Sequence, residues 1–214
     1  MHIGKIDSIW RYPVKGMRGE EVPHIYTAYT GLMGDRIYGV VAADGDPDAE
    51  AFKVNMETPD SVTYDDIEDP AFIADLEKLT GRSLRIHTTQ KGIFDARPVS
   101  LFSLSAAAKL GEELGMDIDK RRFRANFYVE WDNQDDPFYE NSLVGKTLKI
   151  GEWLELAIVE RDPRCIMITL DPNTAEATPK LLQHVARNHA GDAGVFAAVL
   201  QRGRVNKGDP IFLK

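Results

Sequence analysis

Apolar and polar residues alternate along much of the chain, and this period of two predicts a fold built mainly from strands. The segments with this pattern, or with a short apolar run, are residues 3–12, 22–29, 36–43, 83–89, 98–102, 123–130, 147–150, 153–160, 165–171, 194–200 and 210–213. Strands outnumber helices, so we predict an α+β, β-rich class with a strong β-barrel component.

Three segments have the spacing of helices instead, namely residues 70–79, 104–114 and 179–190. The first begins with Pro70, which suits the first turn of a helix, and Gly81 can end it. In the second, Ser103 is the predicted N-cap and Gly115 the terminator. These signals predict a few helices among the strands.

Glycine, proline and aspartate mark the predicted turns. Asp44-Gly45 favours a hairpin turn, within an acidic surface loop over residues 44–50. Residues 58–60 interrupt the chain again. Near the end, residues 202–204 and 207–209 are predicted as turns between strands.

Length and composition describe an ordinary globular protein. The chain has 214 residues, of which 43% are apolar and 28% charged. It holds no apolar run of the roughly 18 residues that a membrane span needs, and its first residues lack the apolar stretch of a signal peptide. With a single cysteine and no export signal, we expect a cytoplasmic protein without a membrane partner.

The charge of the chain argues against nucleic acid as a partner. The formal net charge is −8, which repels a phosphate backbone. One basic cluster, residues 120–124, stands out against this background. If it continued into a strand, Arg122, Arg124 and Asn126 would share one face. A small anionic ligand or a water-exposed face would each explain such a cationic strand face.

Candidate catalytic groups are few. The chain has no phosphate-binding glycine loop, no serine-hydrolase elbow and no zinc-protease motif. His184 and His189 lie five apart on the last predicted helix, so they are not expected to share a face as zinc ligands. A core or surface role is the expectation for each.

The one cysteine, Cys165, cannot form a disulfide framework or a four-cysteine metal site. If it is functional, it acts alone, as a nucleophile or as one ligand of a metal held mainly by other groups. Arg164 and Arg161 would favour its ionised form by charge attraction. The alternative is an inert cysteine buried as a small apolar residue.

Five separated segments carry a resemblance to a known family. In chain order they are YPVKG at 12–16, GLMGDR at 31–36, RFRAN at 122–126, PRC at 163–165 with LDP at 170–172, and GRVNKGDP at 203–210. Together they are similar to the MOSC-domain family, named after the C-terminal domain of molybdenum cofactor sulfurase. The layout most resembles members of the amidoxime-reducing-component and YcbX-like branch.

The resemblance implies a molybdenum cofactor, a molybdopterin, and a role for each matching residue. Cys165 matches the cysteine that ligates molybdenum, and a soft thiolate suits that metal. The positions that match cofactor contacts are Lys15, Gly16, Arg36, Ser100, Ser103, Arg124, Asn126 and Arg164. Gly16 departs from the family, which has serine there, so that contact would fall to a backbone N–H group.

The resemblance also implies an organisation. An N-terminal β-barrel region over residues 1–90 would precede a MOSC core over residues 95–214, with the two packed as one unit. The chain contains no cysteine-rich ferredoxin region and no flavin or haem motif. A separate ferredoxin, flavoprotein or cytochrome-like protein is therefore the expected electron donor.

Three functions remain open at this level. The first is an oxidoreductase that removes oxygen from an N-hydroxylated or similarly N- or S-oxygenated small molecule, with Cys165 as the catalytic metal ligand. The second is a non-catalytic carrier of molybdenum cofactor, or a module that passes sulfur through a persulfide on Cys165. The third is a MOSC fold that has lost its ligand and acts structurally.

Overall fold

The structure is a computed structural model, which describes residues 1–43, 67 and 69–214. Its strands are β1 (His2–Arg11), β2 (Glu20–Val22), β3 (His24–Ala28), β4 (Gly31–Leu32), β5 (Tyr38–Ala42), β6 (Leu84–Thr88), β7 (Val99–Ser103), β8 (Phe127–Trp131), β9 (Thr147–Ile150), β10 (Leu154–Pro163), β11 (Asp192–Gln201), β12 (Gly203–Asn206) and β13 (Pro210–Leu213). The helices are α1 (Pro70–Thr80), α2 (Leu104–Leu114) and α3 (Pro179–Asn188). Three short 3-10 turns cover Lys120–Phe123, Tyr139–Leu143 and Ile166–Thr169.

Seven strands close into a barrel in the order β13-β9-β10-β11-β7-β8-β1, because β1 also pairs with β13. All its neighbours are antiparallel except β7 and β8, which run parallel and are joined through α2. β2 extends the barrel beside β1, whereas β12-β3-β4 and β5-β6 form two small separate sheets. The predicted β-rich α+β class with a barrel and a few helices is confirmed.

Side-chain alternation on β7 and β8 builds two cores. Leu101 and Phe127 belong to the main cluster, which the barrel strands supply. Phe102 and Tyr128 belong to a second cluster, which α2 and α3 cover. Both faces of these two strands are therefore packed, so the residues next to them rest on closely packed cores.

Helix ends follow the predicted signals. Ser103 caps α2 by accepting a hydrogen bond from the N–H of Ala106 at 3.1 Å. Gly81 and Gly115 end α1 and α2 in the left-handed conformation. The turn over residues 207–209 is also confirmed, since it joins β12 to β13.

Four predictions, three of strands and one of a turn, need correction. Residues 202–204 are not a turn, because Gly203–Asn206 pairs with β3 and buries Val205. The predicted strand over residues 22–29 divides at Pro23, which cannot donate to a ladder.

The other two corrections concern the chain next to the basic cluster and next to the cysteine. Phe123 does not begin a strand, because it ends the 3-10 turn Lys120–Phe123, which Asp119 caps by accepting from the N–H of Arg121 at 2.8 Å. The strand β8 begins only at Phe127. Residues 165–171 are likewise not a strand, since Ile166–Thr169 coils into a second 3-10 turn. The predicted strand face shared by Arg122, Arg124 and Asn126 therefore does not exist.

Three further predictions concern the part of the chain between β5 and α1. The hairpin turn at Asp44-Gly45, the loop over residues 44–50 and the break at 58–60 lie outside the described residues.

Within the described ranges, no helix is long and apolar enough to cross a membrane. The division of the chain between residues 90 and 95 stays a prediction, and β1 shares one barrel with strands from beyond residue 95.

Candidate functional site

A cavity of about 280 Å³ opens where the loop after β1, the segment before β5, β7, the first 3-10 turn and the end of β10 meet. Seven of the predicted site residues line it: Lys15, Gly16, Arg36, Ser100, Arg124, Arg164 and Cys165. Segments as far apart in sequence as residues 15 and 165 thus contribute to one concave surface. This is the arrangement expected of a small-molecule or cofactor site.

Cys165 supplies the thiol of this cavity. It follows the last strand residue of β10 by two positions, in an extended conformation, just before the turn Ile166–Thr169. The residue is exposed and its thiol is free. The alternative of a cysteine buried as a small apolar side chain is therefore wrong.

Asp35 ties the loop after β1 to the segment before β8. Its carboxylate is fully buried and accepts from the N–H of Tyr12 at 2.7 Å, from Nδ2 of Asn126 at 3.0 Å and from the guanidinium of Arg36. One acidic side chain thus holds its neighbour Arg36 together with two groups that are distant in sequence, Tyr12 and Asn126. Such a charge-assisted network fixes the guanidinium that faces the cavity.

Arg36 and Arg124 both adopt the left-handed conformation, with φ of 51° for each. Few residues other than glycine do so, and each instance costs of the order of 1 kcal/mol or more. The conformation brings both guanidinium groups against the ring of Tyr12, at 4.7 and 4.3 Å from its centroid. Arg36 also donates to the carbonyl of Arg124 at 3.0 Å, so the two cations lie side by side.

The positive charges of Arg36 and Arg124 differ in how well nearby acidic groups compensate them. Burial disfavours the charge of Arg36, but Asp35 outweighs burial and raises its pKa. For Arg124, burial and the neighbouring Arg36 lower the pKa to about 10. Arg124 donates to the carbonyl of Met17, yet its buried Nη2 atom has no hydrogen-bond partner within the described part of the protein. The site therefore holds a cation with an unused donor.

Arg122 is a cavity residue that the sequence placed in the basic cluster but not in the site. It is buried and donates to the carbonyl of Thr169 at 2.8 Å and to Asp171 at 2.9 Å. Its Nε atom is a second buried donor with no partner among the described residues. The contacts fasten the turn that follows Cys165 to the turn that precedes β8.

The guanidinium group of Arg164 is engaged by other residues and is not a free counter-charge to Cys165. Its side chain is buried and pairs with Asp162 at 2.7 Å. It also donates to the carbonyl of Ala193 and, at 2.9 Å, to that of Phe123. These contacts join β10 and β11 to the basic turn, so Arg164 shapes the wall of the cavity.

Asp162 also lines the cavity and was missed from the sequence. Burial raises its pKa to about 6, against the opposing influence of Arg164. A carboxyl group with such a pKa is able to take up and release a proton at a pH close to neutral. The alternation of charged and apolar residues gives no sign of this burial, since it results from tertiary contacts.

Lys15 and Gly16 bring the loop after β1 to the cavity wall. Lys15 is mostly buried and pairs with Asp95, which is exposed, at 2.8 Å. Gly16 has φ of 79°, where a serine side chain would be strained. The departure from the family serine at this position is therefore matched by the backbone.

Ser100, Asn126 and Ser103 complete the set. Asn126 accepts from the N–H of Ser100 at 3.1 Å, and Ser100 lines the cavity. Asn126 is buried behind that wall, and Ser103 lies away from it, where it caps α2 and bonds to Glu140. Of the nine residues predicted for the site, these two are the ones that do not line the cavity.

Comparisons with known proteins bear on both halves of the chain. The MOSC domain model matches residues 80–212, and the model of the MOSC N-terminal beta barrel domain matches residues 3–113. MOSC domains are associated with molybdenum cofactor sulfurases and related proteins. A comparison with curated proteins gives no match.

Solved structures match the chain at low sequence identity, and one of them, with a TM-score above 0.5, shares its fold. The YuaD protein from Bacillus subtilis is 17% identical with a TM-score of 0.59, over 98% of this chain and 94% of that one. YiiM from Geobacillus stearothermophilus is 15% identical (TM-score 0.43; 55% of this chain, 54% of that one). YiiM from Escherichia coli is 12% identical (TM-score 0.44; 98% and 69%). With both family models matched along its length, the chain belongs to the MOSC-domain family, whose role is associated with the molybdenum cofactor.

Proposed function

We propose that the cavity binds a molybdenum cofactor with Cys165 as the protein ligand of the metal. The observation that carries this proposal is the meeting of one exposed thiol with a pair of adjacent guanidinium groups, Arg36 and Arg124. A thiolate suits molybdenum, and guanidinium groups suit the phosphate and the heterocycle edge of a pterin.

The donors present in the cavity wall fit such a group. The buried Nη2 atom of Arg124 and the buried Nε atom of Arg122 have no partner in the part of the chain that the structure describes, and a buried unpaired donor is costly. An anionic or hydrogen-bond-accepting ligand would compensate them. A protein with a net negative charge needs a local group of positively charged side chains in order to bind an anion, and this cavity wall contains one.

Each wall residue then has a task. Lys15, Arg36 and Arg124 would bind the anionic parts of the cofactor, while the backbone of Gly16 and the hydroxyl of Ser100 lie at the same surface. Asn126 would act behind the wall by orienting Ser100 and Asp35. When bound, the cofactor supplies two-electron redox chemistry at molybdenum.

We further propose that the protein is an oxidoreductase acting on N-hydroxylated or similarly oxygenated small molecules. Removing the oxygen of an N–OH group takes two electrons and two protons and releases water. Asp162, with its pKa near 6, is able to hold one of the protons at its carboxyl group. The electrons would come from a separate ferredoxin, flavoprotein or cytochrome-like protein.

A second candidate is a carrier of molybdenum cofactor, or a sulfur-transfer module using a persulfide on Cys165. The exposure of the thiol favours it, since a persulfide must be reached by a partner. This function predicts bound cofactor or persulfide without turnover, whatever the electron donor.

The test is metal and pterin analysis of the full chain, expressed with molybdate in a host that makes the cofactor and purified without oxygen. Cys165→Ala is analysed beside it, and Ser142→Ala, whose exposed hydroxyl bonds to the carbonyl of Tyr139, is the matched control. Turnover is then assayed with an amidoxime and chemically reduced viologen as electron donor.

Near-stoichiometric molybdenum and pterin in the parent and the control, with metal lost from Cys165→Ala, is the expected result. Turnover in the parent supports the oxidoreductase, whereas cofactor without turnover supports the carrier. Absence of molybdenum and pterin from the parent, or full metal and reductase activity in Cys165→Ala, would overturn the proposed site.

A further inference from the structure

Glu113, His184 and His189 form a compact cluster on the surface where α2 meets α3, which we call the histidine–glutamate cluster. Nε2 of His184 and Nε2 of His189 each lie 2.7 Å from the same oxygen, Oε2 of Glu113. The three potential ligand atoms lie within 4.8 Å of one another. None of the three residues lines the cavity that holds Cys165.

The meeting of the two histidines depends on the end of α3. The helix stops at Asn188, and His189 follows it outside helical geometry with φ of −124°. The spacing of five residues therefore does not separate the two rings, whose centroids are 5.6 Å apart. The expectation that the two histidines do not share a face is wrong for this reason, since both rings reach Glu113.

The cluster is held rigidly by its surroundings. The ring of His189 packs on Phe138 at 4.5 Å between centroids, and Nδ1 of His184 is 2.9 Å from Nδ2 of Asn188. The side chains are 15–24% exposed, so they are largely fixed yet reachable from solvent. Burial acts against the charge of Glu113, but its hydrogen bonds to His184 and His189 outweigh burial and lower its pKa.

We propose that the histidine–glutamate cluster is a binding site for a divalent transition metal ion of the zinc type. Two imidazole nitrogens and one carboxylate are a common ligand set for Zn²⁺, with water at the fourth position. Zinc bonds of about 2.0–2.1 Å place tetrahedral ligand atoms about 3.3 Å apart. Each nitrogen–oxygen contact therefore has to lengthen by only about half an ångström, and the metal replaces the protons that the contacts now share.

Asn188 completes the site behind the first ligands. The oxygen and nitrogen of a side-chain amide exchange places by a half-turn about its last torsion, and this half-turn presents Oδ1 of Asn188 to His184. Nδ1–H of His184 then donates to that oxygen while Nε2 binds the metal. Ligating histidines are ordinarily oriented by such a second hydrogen bond.

The consequence is a structural clamp near the cavity. α3 contributes Leu181 and Val185 to the same core cluster as Ile168, which belongs to the turn that follows Cys165. A metal joining α2 to α3 would stabilise the helix on which that turn rests. The clamp does not depend on the proposed cofactor, because it shares no residue with the cavity.

The experiment titrates Zn²⁺ into the full chain after metal is removed with a chelator. All proteins carry Cys165→Ser, so that the exposed thiol does not take up zinc. His184→Gln and His189→Gln each remove one ligand, and Glu113→Gln removes the anionic ligand while it keeps an acceptor for both histidines. His24→Gln, which changes an exposed histidine on β3, is the matched control.

We expect one Zn²⁺ per chain in calorimetry, a higher melting temperature with zinc, and an X-ray absorption spectrum with two imidazoles and no sulfur. The His184→Gln, His189→Gln and Glu113→Gln variants should each weaken binding tenfold or more, whereas His24→Gln should bind like the parent. Melting without zinc checks that each variant is folded. If a histidine variant does not fold, the Glu113→Gln variant still tests the site. Absence of one-to-one binding, or equal weakening by His24→Gln, would overturn the site.

Discussion

The side-chain amide of Asn126 donates to Oδ2 of Asp35 at 3.0 Å and thereby joins residues 91 positions apart. Asn126 uses its oxygen on the N–H and hydroxyl of Ser100, and its nitrogen also reaches the carbonyl of Trp10. Asp35 in turn holds Arg36. Asn126 thus acts on the cavity through its neighbours, and its hydrogen-bonding groups are engaged within the protein.

Asp35→Ala should lower the free energy of unfolding by about 3–5 kcal/mol, because it leaves a buried guanidinium without its carboxylate. It also removes the acceptor of the Tyr12 N–H and of the Asn126 amide. The control is Glu130→Ala, which breaks a half-exposed pair with Lys5 and should cost no more than about 1 kcal/mol. Urea unfolding measures both, and similar losses would contradict the central place given to Asp35.

Arg124→Gln should reduce the pterin retained by protein from a cofactor-producing host by tenfold or more. The reason is the loss of a buried cation whose Nη2 atom has no partner among the described residues. Removal of that cation also relieves the burial of charge and the repulsion by Arg36, which together lower its pKa to about 10. Stability should therefore fall less than for Asp35→Ala.

Arg97→Gln is the control for the arginine variant, since Arg97 is half-exposed and pairs with Glu160. It should retain the pterin content of the parent. Equal pterin in the Arg124→Gln protein and the parent would show that the unpaired donor serves no cofactor.

Asp162 should make stability depend on pH in a direction opposite to that of an ordinary ion-paired carboxylate. Its folded pKa of about 6 lies above the ordinary 3.8, so the folded state binds the proton more tightly than the unfolded state. This contribution is fully present below about pH 4 and is lost as pH rises through 6. The shift corresponds to about 3 kcal/mol.

The measurement compares the parent with Asp162→Asn in chemical unfolding between about pH 4 and 7. The free energy of unfolding of the parent, relative to that of the variant, should fall by about 3 kcal/mol across this range. Most of the change should come below the folded pKa of about 6. Parallel curves for the two proteins would contradict the raised pKa.

Gly194 should tolerate no side chain. A Cβ atom there would come within 2.7 Å of the carbonyl oxygen of Leu101 and 2.9 Å of Nη2 of Arg164, at φ of 85°. Gly208 has nearly the same φ, 87°, and open space around it. Gly208→Ala should therefore cost about 1–2 kcal/mol from backbone strain alone, and Gly194→Ala clearly more. Thermal and urea unfolding of the pair isolates the contact, and equal losses would contradict it.

How far the sequence predicts this fold is clearest from β9 and the basic turn. The pattern over residues 147–150 predicts a strand, and one forms because an alternating apolar face meets a buried barrel core. Alternation also runs through residues 123–126, yet Arg124 is left-handed there. Two interactions override the pattern, namely the cap from Asp119 and the attraction of the Tyr12 ring for two cations. The alternation of apolar and polar residues reveals neither of them.

The site divides in the same way. The positions of Cys165, Lys15 and Arg36 follow from the family resemblance, and they do line one cavity. Asp35 and Asp162 escape prediction because a buried acid is recognised by its surroundings, which for Asp35 include the distant residues Tyr12 and Asn126. Pattern reasoning favours exposure for any single charged residue.

Ser103 offers a final test that separates a structural role from a cofactor contact. Its hydroxyl accepts from the N–H of Ala106 at the start of α2 and donates to the carbonyl of Pro137 or to the buried Glu140. Burial raises the pKa of Glu140, although hydrogen bonds from Ser103 and Trp131 oppose the change. Ser103→Ala should therefore lower the free energy of unfolding by about 1–3 kcal/mol.

Pterin content in the same variant should remain that of the parent, because Ser103 does not line the cavity. Ser105→Ala is the control, since it removes a hydroxyl that reaches the same carbonyl of Pro137 without capping α2 or touching Glu140. We expect a smaller loss of stability there. Pterin lost from Ser103→Ala at unchanged stability would instead assign this serine to the cofactor, as the family resemblance alone implies.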